Sequence, residues 1–459
     1  MTATMPATMK ATTRVNATAR LCGWGRTSHS TAEPLGPLDL PALRALIARR
    51  PAHGLLARGA GRSYGDAALN SGGLVLHPAV EPWLLLDPHA GRVRVSASVA
   101  FTELLARTVP HGWLPPVLPG TAHLTVGGAV AADVHGKNQH RDGTLAAWLE
   151  QVDLVDGTGM LRRLTPQDDP AAFRATVGGM GLTGVVVAVT LRLVPVRSAR
   201  LRVTTRRAED LDALMDLLDT APTRYAVAWI DGTAHGRALG RGVVDLADHL
   251  AEPDPRREPD GPRYRPGPAL PAPTLPFCPV TPRTAAAFNG LWYRRAPRQR
   301  QTTASLGAYF HRLDAVSGWN RALGPAGIWQ YQFAVPDAGC DLVACVLEAL
   351  HRHQAAPFLG TLKRFGPGDD HPLSFPEAGW SLAVDLPAAR PGLGELLDAL
   401  DRLVARSGGR IYLAKDARMD RARFAEMYGP LDEWREARER LDPHRVFRSD
   451  LGRRLGLCD

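Results

Sequence analysis

The sequence is poor in lysine. Of the 55 basic residues in its 459, only four are lysines: Lys10, Lys137, Lys363 and Lys415. Arginine fills nearly every position where either cation serves, so the remaining lysines point to places that call for a compact ammonium with an adjustable pKa. Lys10 sits in an N-terminal stretch rich in Thr and Ala, and the other three sit in polar or glycine-rich surroundings. Cysteine is scarce as well. Cys22, Cys278, Cys340, Cys345 and Cys458 are odd in number and form no Cys-x-x-Cys pair, which excludes a disulfide framework or a zinc site and fits a reducing compartment. No apolar run reaches the ~18 residues needed to cross a bilayer. Residues 1–18 lack the apolar centre of a secretion signal, so 1–14 read as a disordered tail. These absences give a cytoplasmic expectation, with contact at the inner membrane face allowed and a periplasmic location the weaker reading. No Gly-x-Gly-x-x-Gly follows a strand and opens a helix, which excludes a Rossmann site. Internal repeats and heptads are missing too.

What is present begins with a net charge of +9. The arginines are spread along the chain, and the densest run, 294–300, has only Trp292 and Tyr293 beside it, so nucleic acid is not expected. A basic surface suits an anionic substrate or an anionic membrane. The stretch from Leu118 to His140 has Asp133 as its only acid. It carries Gly120, Gly127, Gly128 and Gly136, an apolar run Ala129–Val134, and the polar cluster His135, Lys137, Asn138 and His140. Two readings stand at this point. One is a buried cradle in which backbone amides and a helix start hold a pyrophosphate; the other is a glycine-rich turn before a core helix. A second glycine-rich loop runs from Ala57 to Asp66, with Tyr64 in it.

The remaining pattern predicts short α and β elements in an α+β arrangement. Leu40–Arg50 is an amphipathic helix with Asp39 as N-cap. Strands are expected at 54–58, 84–86, 92–97, 150–155, 160–164 and 185–194, with helices at 101–109 and 173–177. After a change near 195–199 come strands at 200–205, 225–231, 328–335, 358–365 and 380–386, and helices at 211–219, 340–351 and 393–407. This suits an antiparallel sheet with helices on one side and an open face lined by Trp229, Gln330, Gln332 and Lys363. Residues 251–284, rich in Pro and Arg, read as part of a mobile loop extending over about 251–300.

Together these stretches carry a resemblance. Arg58–Asp66, the 118–140 stretch and Val177–Gly184 are similar to the FAD-binding domain of the vanillyl-alcohol oxidase/PCMH superfamily. Val134–Asn138, Ala228-Trp229, Gln330–Phe333, Lys363–Gly366, Pro372–Pro376 and Ala414–Asp416 resemble its polyprenylphosphoryl-ribose oxidase branch. The resemblance implies a two-part FAD-binding domain, 15–197 and 410–459, around a substrate domain, 198–409. It implies FAD contacts from Ala57, Arg58, Gly59, Ala60, Gly61, Arg62, Ser63, Tyr64, Gly65 and Asp66. Further contacts are implied from Gly120, Thr125, Val126, Gly127, Gly128, His135, Gly136, Lys137, Asn138, Val186 and Tyr412. Arg62 stands where some relatives carry a flavin-linking His, so FAD is expected to be non-covalent.

The implied reaction is oxidation of the 2′-hydroxyl of a polyprenylphosphoryl-β-D-ribose, the first half of an epimerisation to the arabinose donor of cell-wall arabinan. A separate NAD(P)H-dependent keto-reductase would complete it. Lys415, Tyr64 and His135 are the candidate catalytic residues. Trp229, Tyr309, Asn320, Gln330, Gln332 and Lys363 are the candidate substrate contacts. Ser381 and Ala383 depart from the Asn and Cys of the resembled branch, which leaves a soluble sugar or nucleoside of natural-product biosynthesis as the alternative substrate. A lipid substrate would imply peripheral membrane contact through 251–300.

Overall fold

The computed structural model describes residues 18–429 and 431–459; the expected tail over 1–14, with Lys10, lies outside them. Helix Leu40–Ala48 starts where the Asp39 carboxylate accepts from the Ala42 N–H at 2.8 Å, and it buries Leu43 and Ile47, one turn apart. Such a cap is worth about 1 kcal/mol. The helix packs beside a small sheet ordered Ala19–Cys22, His29–Leu35, Leu74–Leu76, Leu55–Ala57, in which the last three strands run parallel. Of these strands the sequence predicts only the one at 54–58; the parallel pairing is three residues long in each ladder and leaves no pattern to read.

A second sheet is antiparallel throughout, in the order Leu84–Asp87, Arg92–Ser96, Val185–Arg192, Leu149–Val155, Leu161–Leu164. The Asp156 carboxylate pins its last hairpin by accepting from the Thr158 and Met160 N–H groups at 2.9 and 3.0 Å. The third and largest sheet has eight antiparallel strands. Their order is Gln299–Ser305, Arg200–Ala208, Gly242–His249, Tyr225–Ile230, Leu359–Phe365, Gly379–Pro387, Ile328–Val335, Arg410–Ile411.

Directly paired residues share a face, so the register sorts this sheet into two sides. Ala228, Val244, Phe333 and Leu382 point to one side, where helices Leu211–Asp219, Asp341–Arg352 and Leu393–Arg406 bury Leu214, Val346 and Leu397 against them. The other side is polar near the middle. Gln332 pairs with Ala383, Ala383 with Thr361 and Thr361 with Trp229, while Gln330 pairs with Asp385 and Lys363 with Ser381. The four residues expected on the open face therefore share it. At its far end Val203, Tyr225 and Ala247 join Tyr309 and Phe310 in a core continuous with Val95, Leu104 and Val130 of the first part of the chain.

Three elements depart from expectation. Strand Gly242–His249 has both faces covered, so its sequence does not alternate. Edge strand Gln299–Ser305 is polar and exposed. The segment expected as a loop over about 251–300 is irregular only in its first part, because helix Pro282–Arg295, with Thr281 and Thr284 forming a reciprocal N-terminal cap, occupies its end. The C-terminal residues return to the start. Leu55 N–H donates to Val446 O at 2.8 Å, and Arg448 N–H to Leu55 O at 3.1 Å.

Candidate active site

The loop Ala57–Asp66 leaves the small sheet and is held from behind. Arg58 donates to the carbonyls of Ala68 and Cys22 at 2.7 and 2.9 Å, Ser63 O accepts from Trp24 N–H, and Tyr64 N–H donates to Ala414 O at 3.0 Å. Gly61 has φ of 63°, in the left-handed region. Among the described residues, the backbone amides from Gly59 to Ser63 meet no acceptor. Successive free amides around a left-handed residue form a concave anion site. Arg62 lies over the Trp24 ring at 4.0 Å.

This loop abuts the start of the glycine-rich stretch: a Cβ on Gly59 would meet Thr125 Oγ1 at 2.4 Å. Thr125 caps helix Val126–Ala131 by accepting from Gly128 N–H at 3.2 Å. The expectation that the first amides of this helix are free is corrected here, since Val126 and Gly127 N–H donate to Val99 and Ala97 O at 2.9 and 2.8 Å. The open amides are those of the 59–63 loop beside it. A Cβ on Gly120 would meet nothing within 4 Å, and one on Gly128 only Thr125 Oγ1, so both glycines face open space. Asp133, the one acid of the stretch, turns away. It accepts from Ser374 Oγ at 2.7 Å and Ala146 N–H at 2.9 Å, and burial beside Asp369 pushes its carboxyl up to about 7.

Beyond the helix the chain brings His135 against the large sheet. His135 is buried, with its Nε2 at 3.3 Å from Gln332 Nε2 and its ring packed on Phe365, Phe375 and Tyr412. Burial, then Lys363 and Lys415, hold it well below the usual imidazole range, so it is neutral, and its Nδ1 has no partner among the described residues. Tyr412 donates to Ala132 O at 3.0 Å and stacks on Phe375. Lys137 donates to Tyr309 O at 2.5 Å and lies 4.0 Å over its ring; burial and Arg312 bring its ammonium down to about 7. Tyr309 is fully buried behind it.

The centre of the site is reached from the far end of the chain. Lys415 lies 4.2 Å over the Tyr64 ring. Gln330 Nε2 donates to Tyr64 Oη at 3.2 Å and to Asp385 Oδ1 at 2.9 Å. Burial lowers Lys415 to about 8, with Asp385 opposing the shift; burial raises Asp385 to about 7, with Lys415 opposing. Tyr64 is pushed well above the usual phenol range by burial and then by Asp385, so it keeps its proton. Lys363 is lowered to about 8 by burial and by Lys415. The three lysines outside the tail thus lie within electrostatic reach of one another, and among the described residues no acid offsets Lys363. Gln332 reaches Ser381 Oγ at 3.4 Å, with Ala383 and Trp229 in the adjoining row.

Other expected residues are placed differently. Asn320 gives its amide to Trp24 O at 2.6 Å and does not lie on the open face. Asn138 donates to Pro116 O and Asp142, bracing its own loop where Gly136 packs against Leu118 O. Asp66 is paired with Arg454, which also holds Asp416. Gly65 leaves room for Asp416 O, which a Cβ would meet at 1.9 Å. Val186 is a half-buried strand residue packed on the core near Val189. Asp385 is the residue that sequence reasoning missed. Its signal was available: in Ser381-Leu-Ala-Val-Asp385 a period of two puts the acid in phase with Ser381 and Ala383.

An FAD binding domain family matches residues 42–165, and a D-arabinono-1,4-lactone oxidase family matches residues 363–455. Over 456 residues the chain is 37% identical to decaprenylphosphoryl-beta-D-ribose oxidase of Mycolicibacterium smegmatis, covering 96% of this chain and 98% of that protein. It is 27% identical to alditol oxidase of a Streptomyces species over 449 residues, 94% of this chain and 97% of the relative. With cytokinin dehydrogenase 10 of Oryza sativa it shares 28% identity over 178 residues, 37% of this chain and 32% of the other.

Proposed function

Because the chain belongs to the decaprenylphosphoryl-β-D-ribose oxidase family of FAD-dependent oxidoreductases, we propose that it oxidises the 2′-hydroxyl of a polyprenylphosphoryl-β-D-ribose to the 2′-keto sugar. This is the first half of an epimerisation that yields an arabinose donor for cell-wall arabinan. The keto product would be consumed by a separate NAD(P)H-dependent reductase. The observation that carries this reading is the convergence of Lys415, Lys363, Tyr64, Gln330 and Asp385 on one sheet face beside a loop of free amides.

The residues present fit FAD. The amides of Gly59 to Ser63 suit its pyrophosphate, and Gly120 and Gly128 leave the space that side chains would fill. His135-Gly-Lys-Asn138 would lie at the flavin end. The flavin, held without a covalent bond because Arg62 cannot form one, supplies the acceptor for the hydride that leaves the sugar carbon. The protein handles the proton. The Lys415 ammonium stabilises the alkoxide that develops on the hydroxyl oxygen. Tyr64 passes the hydroxyl proton to the Asp385 carboxylate, and Gln330 holds these two partners in register. With FAD bound, the alcohol would give its proton to Asp385 and a hydride to the cofactor, leaving a ketone. Lys363, a cation that no acid offsets among the described residues, receives the substrate phosphate, Gln332 and Ser381 take sugar hydroxyls, and Trp229 supplies an apolar wall.

A second reading, oxidation of a soluble sugar or polyol, is favoured by Ser381 and Ala383 and by the alditol oxidase likeness along the whole chain. Anaerobic bleaching of the yellow flavin separates the two. Bleaching by a polyprenylphosphoryl ribose supports the first. Bleaching by an alditol or free riboside, with none by the lipid, overturns it.

A further inference from the structure

From Gly261 to Leu313 the sequence contains eight arginines and no Asp or Glu. The same stretch, extended to Val316, holds seven of the twelve large apolar side chains that the described protein leaves exposed. Helix Pro282–Arg295 shows how this arises. Its inward face is made of Ala285 and Asn289, whose amide donates to Pro357 O at 3.2 Å. Phe288, Leu291 and Trp292 point outward, 57, 47 and 49% exposed, and the Phe288 and Trp292 rings stack one turn apart. A surface helix normally buries its large apolar residues and shows its polar ones; this one does the reverse. Arg294 and Arg295 stand exposed at its end, next to Arg298 and Arg300.

The surface belongs to the same wall as the cleft. Tyr293 packs under Arg207 and Arg241, and Arg207 lies in the sheet row that continues through Val243 to Trp229. Exposed Leu270 pairs in register with exposed Val316. Two residues earlier, Asp314 is tied to Thr121 Oγ1 and to Ala122 N–H, beside Gly120.

We propose that this face is a docking surface for an anionic lipid bilayer, with Phe288, Leu291 and Trp292 entering the headgroup boundary and the arginines meeting the lipid phosphates. Arg263 and Arg312 are paired with Asp260 and Asp245, but Arg294, Arg295, Arg298 and Arg300 meet no acid among the described residues, and aromatic and Leu anchors beside such cations are the chemistry of interfacial helices. A second copy of the chain is a poor occupant, because a two-fold interface would set these arginines against each other with no acid to receive them.

The test is co-sedimentation of the FAD-loaded, full-length protein, without substrate, with vesicles of phosphatidylcholine alone or mixed with phosphatidylglycerol. Binding is expected to the mixed vesicles, and high salt should weaken it. Phe288→Ser with Trp292→Ser should reduce partition by about tenfold or more. Arg294→Glu with Arg295→Glu should reduce it by about thirtyfold. Flavin absorbance should be unchanged in both variants, which shows that they are folded. Protein left in the supernatant with both kinds of vesicle overturns the proposal. So does binding indifferent to both pairs of substitutions, or self-association that disappears with them. Because no sugar is turned over, these outcomes are separate from those that decide the substrate.

Discussion

The two halves of the candidate site are built in opposite ways. The loops 57–66 and 118–128 present backbone amides and empty space beside glycines, and their side chains mostly point backward into supports such as Cys22 O, Ala68 O and Arg454. The sheet face presents side chains: two glutamines, a lysine, a serine and an aspartate from three neighbouring strands, with Lys415 brought over them from the turn that follows the last strand. A backbone-built site tolerates no added volume but is indifferent to charge. A side-chain-built site tolerates changes of size, as at Ala383, but depends on which protons its groups hold. The difference teaches where a substitution should affect cofactor and where it should affect rate.

The sharpest test of that contrast is Lys415→Ala. It should cut flavin reduction by about 10³-fold or more while FAD stays bound, as read by anaerobic stopped-flow; an unchanged rate would remove Lys415 from the chemistry. Gly59→Val should do the reverse, because its side chain would occupy the position of Thr125 Oγ1. Purified protein should be colourless, and thermal melting should report a loss of about 1–3 kcal/mol.

Asp385→Asn tests the proton path. The native pair, near 7 for Asp385 and near 8 for Lys415, should give a narrow bell in the pH dependence of reduction, rising as the carboxyl ionises and falling as the ammonium is lost. The Asn variant should lose the rising limb. Its falling limb should shift to lower pH, because the carboxylate that props up the Lys415 ammonium is gone, and its rate should drop by about 10²-fold. A bell with both limbs intact would mean that the proton leaves by another route. Acid precipitation should release all the flavin into the supernatant, the expected result of having Arg62 in the first loop; yellow pellets would contradict a non-covalent site. The smallest effect is expected for Ala383→Cys, within about tenfold of the native rate, since it adds one atom to a wall that Gln332 and Thr361 already define.

The same contrast explains what the sequence showed. Glycine motifs are local, so the 57–66 loop and the 118–140 stretch are visible directly, and the scarcity of lysine singles out Lys137, Lys363 and Lys415. The polar face was legible because Ile328–Val335 alternates cleanly. Asp385 was missed although its phase with Ser381 and Ala383 was there to be read; the register, which pairs it with Gln330, gives that phase its meaning. Strand Gly242–His249 lacks alternation because it is buried on both faces. The outward-facing helix at Pro282–Arg295 was hidden in a Pro- and Arg-rich stretch that reads as irregular. Asn320 and Asn138 look like ligands in sequence, yet both satisfy nearby carbonyls.

Arg454 holds Asp66 and Asp416 together across 388 residues of chain. During synthesis, at about 5–20 residues per second, the first loop must therefore wait roughly 20–80 s for its last brace to leave the ribosome. The large sheet can close in that interval, its short last strand at 410–411 emerging shortly before Arg454. The order of events at birth then follows connectivity: the polar sheet face can form first, and the amide-rich loop gains its last brace only after Arg454 has emerged.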